Sequence, residues 1–246
     1  MSRFTGWARK WGVVAAAVAG LAMPAMAQDF KVAMSSLPTS MDPHFQNITT
    51  NANVIEHMFE PLVMRSADGK LAPGLAWSWT NVNTTTWDSK IRAGAKFSDG
   101  SPVTVEDVIY SLDRPANIKN SPASFTQYTR SITGKRAVDA QTVRLTTAVA
   151  TPLLPDDLVS VIIVSKKATE GLSSDDFASG KGMVGSGPYK FVRFLRDDRV
   201  EMARNEHYNG PNKTPWATTT IRFIANPSTR LAALLAGDVQ AIENVP

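Results

Sequence analysis

The sequence predicts a mixed α/β fold, and three observations carry that expectation. Short stretches of period-two hydrophobicity are interleaved with stretches of helical spacing, in no regular alternation. Six tryptophans and a hydrophobic content of 43% give a chain of 246 residues enough apolar surface for a packed core. Cysteine is absent, so neither disulfides nor thiolate metal sites can take over the work of that core.

The amino terminus reads as a targeting segment. Arg3, Arg9 and Lys10 precede an apolar run from Val13 to Met23, followed by Pro24 and Ala25-Met26-Ala27. That is the order of a secretory signal: a positive segment, an apolar segment and a small-residue cleavage site. The stretch from Val13 to Ala27 is shorter than the roughly 20 residues a membrane-spanning helix needs. Residues 1–27 are therefore expected to be removed on export, leaving Gln28 as the first residue of a periplasmic chain that does not insert into the membrane. Removal takes three of the 26 basic groups and leaves 23 against 22 acidic ones. Interspersed charges of near-zero balance speak against a nucleic-acid partner, which needs a clustered basic face.

Taken in order, Phe30 to Met34 alternates as a strand, and Ser35 to Pro43 is rich in turn formers. Val54, Met58 and Phe59 give Asn51 to Phe59 a helical spacing that ends before Pro61. Strands are expected at Leu62 to Arg65 and around Thr86 to Arg92, with turns at Ala67 to Lys70 and at Asp99-Gly100. Thr104 can cap a helix running to Leu112, with Glu106 and Asp107 placed well in its first turn. Two strands flank Asp139-Ala140 between Ser131 and Leu145, and Val161 to Val164 reads as a buried strand. Further strands are expected at Tyr189 to Phe194, Val200 to Arg204, Thr219 to Phe223 and Val239 to Ile242. Between the last two, Ser228 is expected to cap a helix that stops at Gly237.

Catalytic patterns are scarce. His44, His57 and His207 form no H-E-x-x-H, and His57 with Glu60 reads as a surface hydrogen bond. Val184 stands where a nucleophile elbow around Ser186 needs glycine. The same stretch fails as a phosphate loop, because Pro188 removes an amide and no glycine-lysine-serine/threonine follows. Asp156-Asp157, Asp175-Asp176 and Asp197-Asp198 are adjacent pairs whose side chains diverge, so they read as solvated loop carboxylates. No catalytic residue, metal site or cofactor is expected, and the chain reads as a non-enzyme.

Two segments carry a resemblance. Leu71-Ala72-Pro73-Gly74-Leu75-Ala76-Trp77-Ser78-Trp79 follows an aspartate-glycine turn, and Ile91-Arg92-Ala93-Gly94-Ala95-Lys96-Phe97-Ser98-Asp99-Gly100-Ser101-Pro102 runs on through Val103-Thr104-Val105-Glu106-Asp107-Val108 to Arg114. Together with Asp42-Pro43, Glu60-Pro61-Leu62, Gly185 to Phe191, Arg204-Asn205 and Leu234 to Val239, they resemble extracytoplasmic solute-binding proteins of family 5. That is the oligopeptide- and dipeptide-binding class serving ABC importers. Gln240 stands where relatives usually carry an acidic residue, and Trp87-Asp88-Ser89-Lys90 replaces a more apolar strand. The matching residues themselves read as structural: Trp77, Trp79 and Trp87 as core and sheet packing, and Gly185 to Pro188 as a tight turn anchored by Tyr189.

The resemblance implies a periplasmic-binding-protein-like fold of type II, with two hinged lobes enclosing the ligand. Members are about twice this length, so residues 28–246 correspond to the first lobe, and the second lobe is absent from the sequence. Residues 28–65 and 185–246 are expected to form one α/β layer, with about 66–184 inserted as a β-rich subdomain. The implied function is the substrate-binding component of an ABC importer, most simply for peptides, working as a monomer with membrane permease subunits. A non-binding remnant and an exported hydrolase stay open as alternatives, as do nickel complexes, haem, opines and oligosaccharides as ligands. In peptide-binding relatives the acidic group that holds a peptide's amino terminus lies in the second lobe.

Within the first lobe, the candidate ligand-facing residues are Met34, Ser35, Ser36 and Leu37, in the loop after the opening strand, and Phe125 and Tyr128. Loops at strand ends beside a cleft expose amides and short hydroxyls, which suits ligand binding.

Overall fold

The computed structural model describes residues 29–211 and 213–246, and the expected signal at residues 1–27 lies outside them. Within those residues the strands are β1 (Asp29–Met34), β2 (Val63–Arg65), β3 (Leu71–Pro73), β4 (Ala76–Asn83), β5 (Thr86–Ile91), β6 (Ile132–Ala137), β7 (Thr142–Thr147), β8 (Tyr189–Leu195), β9 (Arg199–Arg204), β10 (Thr218–Phe223) and β11 (Ala241–Ile242). The α-helices are α1 (Thr49–Ile55), α2 (Val105–Asp113), α3 (Thr126–Thr129), α4 (Leu154–Asp157), α5 (Lys166–Thr169) and α6 (Pro227–Leu235).

Two larger sheets organise the chain. The first has the order β11-β1-β10-β9-β8, with β1 parallel to both β10 and β11 and the β8-β9-β10 meander antiparallel. The second has the order β4-β5-β7-β6 and is antiparallel throughout. Alternation along the strands decides which face each sheet buries. Val200 and Met202 of β9 and Ile221 of β10 point to one face, where they meet Val54, Phe59 and Phe177. Val143 and Leu145 of β7 meet Phe97, Leu112 and Leu158 in a second core. A small third cluster of Ala33, Ala233 and Val239 seats α6 on the opposite face of the first sheet.

Helix α2 forms where its sequence places it. Thr104 Oγ1 accepts the Asp107 amide, and the Asp107 carboxylate accepts the Thr104 amide at 2.9 Å, closing a capping box. Such a cap contributes about 1 kcal/mol. The helix then holds the segment expected as a strand at Val161 to Val164. That segment is buried but makes only one bridge, Ile162 to Pro61. Several of its backbone groups are satisfied elsewhere: Val164 donates to Ser111 Oγ at 2.9 Å, Ile163 donates to the Glu60 carbonyl, and the Ile162 carbonyl lies 2.8 Å from His44 Nε2. An apolar run of that length signals burial, and here the Ser111 hydroxyl and the His44 ring, with a single backbone bridge, stand in for a full sheet neighbour.

Other expectations shift. Strand β4 forms where Trp77 and Trp79 are expected to pack in a sheet, and β3 precedes it at Leu71–Pro73. Helix α1 ends at Ile55, short of Phe59. Helix α6 is capped by Asn226, whose side chain accepts the Thr229 amide at 2.9 Å, so Pro227 takes the first helical position and Ser228 falls inside. Trp79 and Trp87 pack against the second core, but Trp77 is 65% exposed. A register shift between Ala76 and Ser78 in the β4–β5 pairing takes Trp77 out of the pleat.

Gly185 and Gly187 owe their place to close approach. A Cβ on Gly187 would lie 2.6 Å from the Met58 carbonyl carbon, and one on Gly185 would collide with the Met58 carbonyl oxygen. The gap is filled by backbone hydrogen bonds, from Gly187 to Met58 and from Tyr189 to His57.

Candidate functional site

Parallel pairing brings the carboxyl ends of β1, β10 and β11 side by side, and the loop Met34 to Leu37 leaves from the middle of the three. Met34 is half-buried against the core of the first sheet, and its carbonyl accepts the Ile224 amide at 2.8 Å. Ser35 gives both its amide and its hydroxyl to Glu243 Oε1, the hydroxyl at 2.5 Å. Ser36 is exposed and Leu37 half-buried. The sequence reading missed Glu243, which follows β11 and lies 208 residues from its partner.

Arg230 fixes this corner. The residue is 1% exposed, and its guanidinium donates to four carbonyls: Ile224 at 2.7 Å, Ala225 at 3.1 Å, Glu243 at 3.0 Å and Asn244 at 3.1 Å. It thereby joins the exits of β10 and β11, and Glu243 carries the restraint across to Ser35. The corner closes the Ser35 amide and hydroxyl on the Glu243 carboxylate and leaves Ser36 exposed beside them on a fixed backbone.

Phe125 and Tyr128 belong to a second neighbourhood. Phe125 is buried and meets His44 edge-on, with ring centroids 6.1 Å apart. Tyr128 is half-buried, its ring 6.4 Å from that of Phe125, and its hydroxyl accepts from Asn47 Nδ2 at 2.9 Å. The cavity beside Phe125, lined also by Asn47, Asn51 and Ile55, holds about 50 Å³. That admits water but not a ligand of drug size, which needs roughly 300 Å³ or more. Among the described residues no hydrogen bond or ring contact directly joins the two groups.

A buried polar cluster follows in the same connection, around Asp42. Asp42 accepts from Arg114 through both oxygens, at 2.6 and 2.8 Å, and also from Ser174 and the His44 amide. Burial alone would push the Asp42 carboxyl up, but Arg114, His44 and Ser174 together hold it below its usual range. Burial and the neighbouring Arg114 charge depress His44 to about 4, so its ring is neutral at pH 7. Glu60 makes a second buried pair, with Arg92 Nη2 at 3.0 Å. Burial raises its carboxyl despite that partner. This corrects the surface reading of His57 with Glu60: the glutamate turns inward, away from the histidine. Of the solvated carboxylates, Asp156 pairs with Arg65, and Asp176 caps Ser173 and reaches Lys181. Among the described residues no group of three or more metal-ligating side chains converges, and no helix is long and apolar enough to cross a membrane.

Comparison with known proteins places the chain. Residues 70–246 match the family described as bacterial extracellular solute-binding proteins, family 5, middle. The periplasmic oligopeptide-binding protein OppA of Salmonella typhimurium is 30% identical over 223 residues, covering 83% of this chain and 41% of the relative. The solved structure of OppA from Burkholderia pseudomallei superposes with a TM-score of 0.80 at 26% identity, over 90% of this chain and 47% of that one. OppA of Haemophilus influenzae, solved in complex with RPPGFSPFR, gives 0.79 at 27% identity, over 90% and 47%. The fold is thus mixed α/β of the type II periplasmic-binding-protein kind, and the chain spans less than half the length of these relatives.

Proposed function

The chain belongs to the bacterial extracellular solute-binding proteins, family 5, and from that premise we propose that it forms the first lobe of the substrate-binding component of an ABC importer for peptides. The observation that carries this reading is the match in sequence and fold to OppA proteins across nearly all described residues. The peptide in the Haemophilus influenzae complex supports the ligand class. In this reading the loop Met34 to Leu37 is one wall of the ligand cleft. It lies where an α/β sheet presents its strand ends, and Arg230 and Glu243 give it a fixed backbone. Phe125 and Tyr128 brace the connection that follows that wall, through His44 and Asn47.

The two sheets support a division into a layer of residues 28–65 and 185–246 and an inserted subdomain of about 66–184. β1 and β8 to β11 fall in the first, and β4 to β7 in the second. Export to the periplasm, with Gln28 as the new terminus, follows from Ala25-Met26-Ala27. The partners are then a peptide ligand and permease subunits, met by a monomer.

Purifying the exported product of the complete reading frame, denaturing it and identifying what it releases tests the assignment. Recovered peptides are the expected result. Release of an opine, a sugar or a metal complex without peptides overturns the ligand class, and amino-terminal sequencing of the same material checks Gln28.

A further inference from the structure

An exposed tryptophan between two cavities lies on the other sheet. Trp77 borders an open cavity of about 620 Å³, shared with Met64, Arg65 and Pro73, and a second of about 370 Å³, shared with Lys90 and Gln141. Arg92 lines both and is held rigidly by Glu60, by the Gly74 carbonyl at 2.6 Å and by Asn209 at 2.9 Å. We propose that this face is a second binding site, separate from the strand-end loop, for an amphipathic anion whose apolar body packs on Trp77 and whose acid group meets Arg65 or Lys90.

Three features support the assignment. The register shift at Ala76/Ser78 turns a large aromatic outward from the start of β4, and bulges recur where a side chain is re-aimed beside a site. The larger cavity lies within the roughly 300–1,000 Å³ range of small-molecule sites, and its wall is mostly apolar. The charged residues that line the two cavities are Arg65, Lys90 and Arg92, with no carboxylate among them. Arg92 is paired with the buried Glu60, whereas Arg65 makes a solvent-exposed pair with Asp156 through one nitrogen and reaches the Gly69 carbonyl through another, leaving further guanidinium N–H groups to donate. A ring or chain bearing a carboxylate or sulfonate fits this pattern, and a cation does not.

The probes are 8-anilinonaphthalene-1-sulfonate and its uncharged counterpart N-phenyl-1-naphthylamine, titrated by fluorescence against the folded chain. Saturable one-to-one binding of the sulfonate is expected. Trp77→Ala should weaken both probes at least about tenfold, a loss of about 1.4 kcal/mol or more. Combined Arg65→Glu and Lys90→Glu should weaken only the sulfonate by a similar factor. Leu153→Ala, which alters an exposed leucine outside both cavities, serves as the control and should change neither. Thermal unfolding checks that each variant is folded, with Trp77→Phe replacing the alanine if it is not. Unchanged binding by the Trp77 variant, equal losses in the Leu153 variant, or equal responses of the two probes to charge reversal would overturn the proposal.

Discussion

Asp42 and Arg114 stand 72 residues apart and meet in a two-point ion pair almost wholly shielded from water, with side chains 0% and 5% exposed. The pair ties the connection after β1 to the end of α2, and the Arg114 guanidinium lies 5.0 Å over the Phe177 ring. Removing one partner leaves the other charge buried without compensation. Arg114→Met should therefore destabilise the fold by about 3–5 kcal/mol. Urea unfolding measures this, and the paired Asp42→Leu/Arg114→Met variant should recover part of the loss. A cost of under about 1 kcal/mol for Arg114→Met would show that the pair is not buried as described.

His44 makes stability depend on pH. Its ring stays neutral in the fold down to about 4, whereas the unfolded imidazole takes a proton near 6.5. The unfolded chain therefore binds more protons between those values. The contribution is intact above about pH 6.5 and is lost as pH falls towards 4, by up to roughly 3 kcal/mol. The lowered Asp42 carboxyl acts in the same direction at the acid end. Chemical denaturation at stepped pH should show this slope, and His44→Gln should flatten it between pH 6.5 and 4. An unchanged slope in the variant would assign the acid sensitivity to other groups.

Two glycines separate close approach from backbone freedom. Gly187→Ala drives a methyl into the Met58 backbone, which cannot give way as a flexible side chain would. It should cost more than the 1–3 kcal/mol typical of overpacking. Gly69 has open space around it but a φ of +80°, so Gly69→Ala should cost only about 1–2 kcal/mol. Differential scanning calorimetry ranks the two, and the reverse order would contradict the packing described.

The sequence announced local structure well where local chemistry decides it. Thr104 and Asp107 lie three residues apart and form their cap as expected, and the alternation in β1, β7, β9 and β10 marks their buried faces. It was silent where distant residues decide. Nothing near Val161 reveals that Ser111 will take the Val164 amide in place of a strand. Nothing near Trp77 reveals the register shift that exposes it. The candidate loop was legible as a strand end, since Met34 to Leu37 leaves an alternating segment for a run of turn formers. Its partner Glu243 was not, because the Ser35 contact exists only after β11 pairs parallel with β1. Asp42 and Arg114 were both noticed within motif matches, yet each motif is local and the ion pair is not.

In the proposed two-lobed reading, the strand-end corner also bounds what residues 28–246 can achieve alone. Ser35 already gives its amide and hydroxyl to Glu243, so in the proposed reading a ligand at this wall uses the exposed Ser36 or displaces the carboxylate. In a two-lobed binder the opposite wall supplies further contacts, and closure removes the water that weakens polar ones. A single lobe lacks the opposite wall's contacts and still bears the translational and rotational cost of association, about 4–15 kcal/mol. Losing even about 4 kcal/mol of contact weakens affinity roughly a thousandfold. Residues 28–246 alone should therefore bind no peptide tighter than about millimolar, whereas a version carrying both lobes should bind tightly. Isothermal titration of the two against a mixed tripeptide library measures the difference. Micromolar binding by residues 28–246 would place the whole site within this lobe and make its Ser35–Glu243 corner sufficient without a second wall.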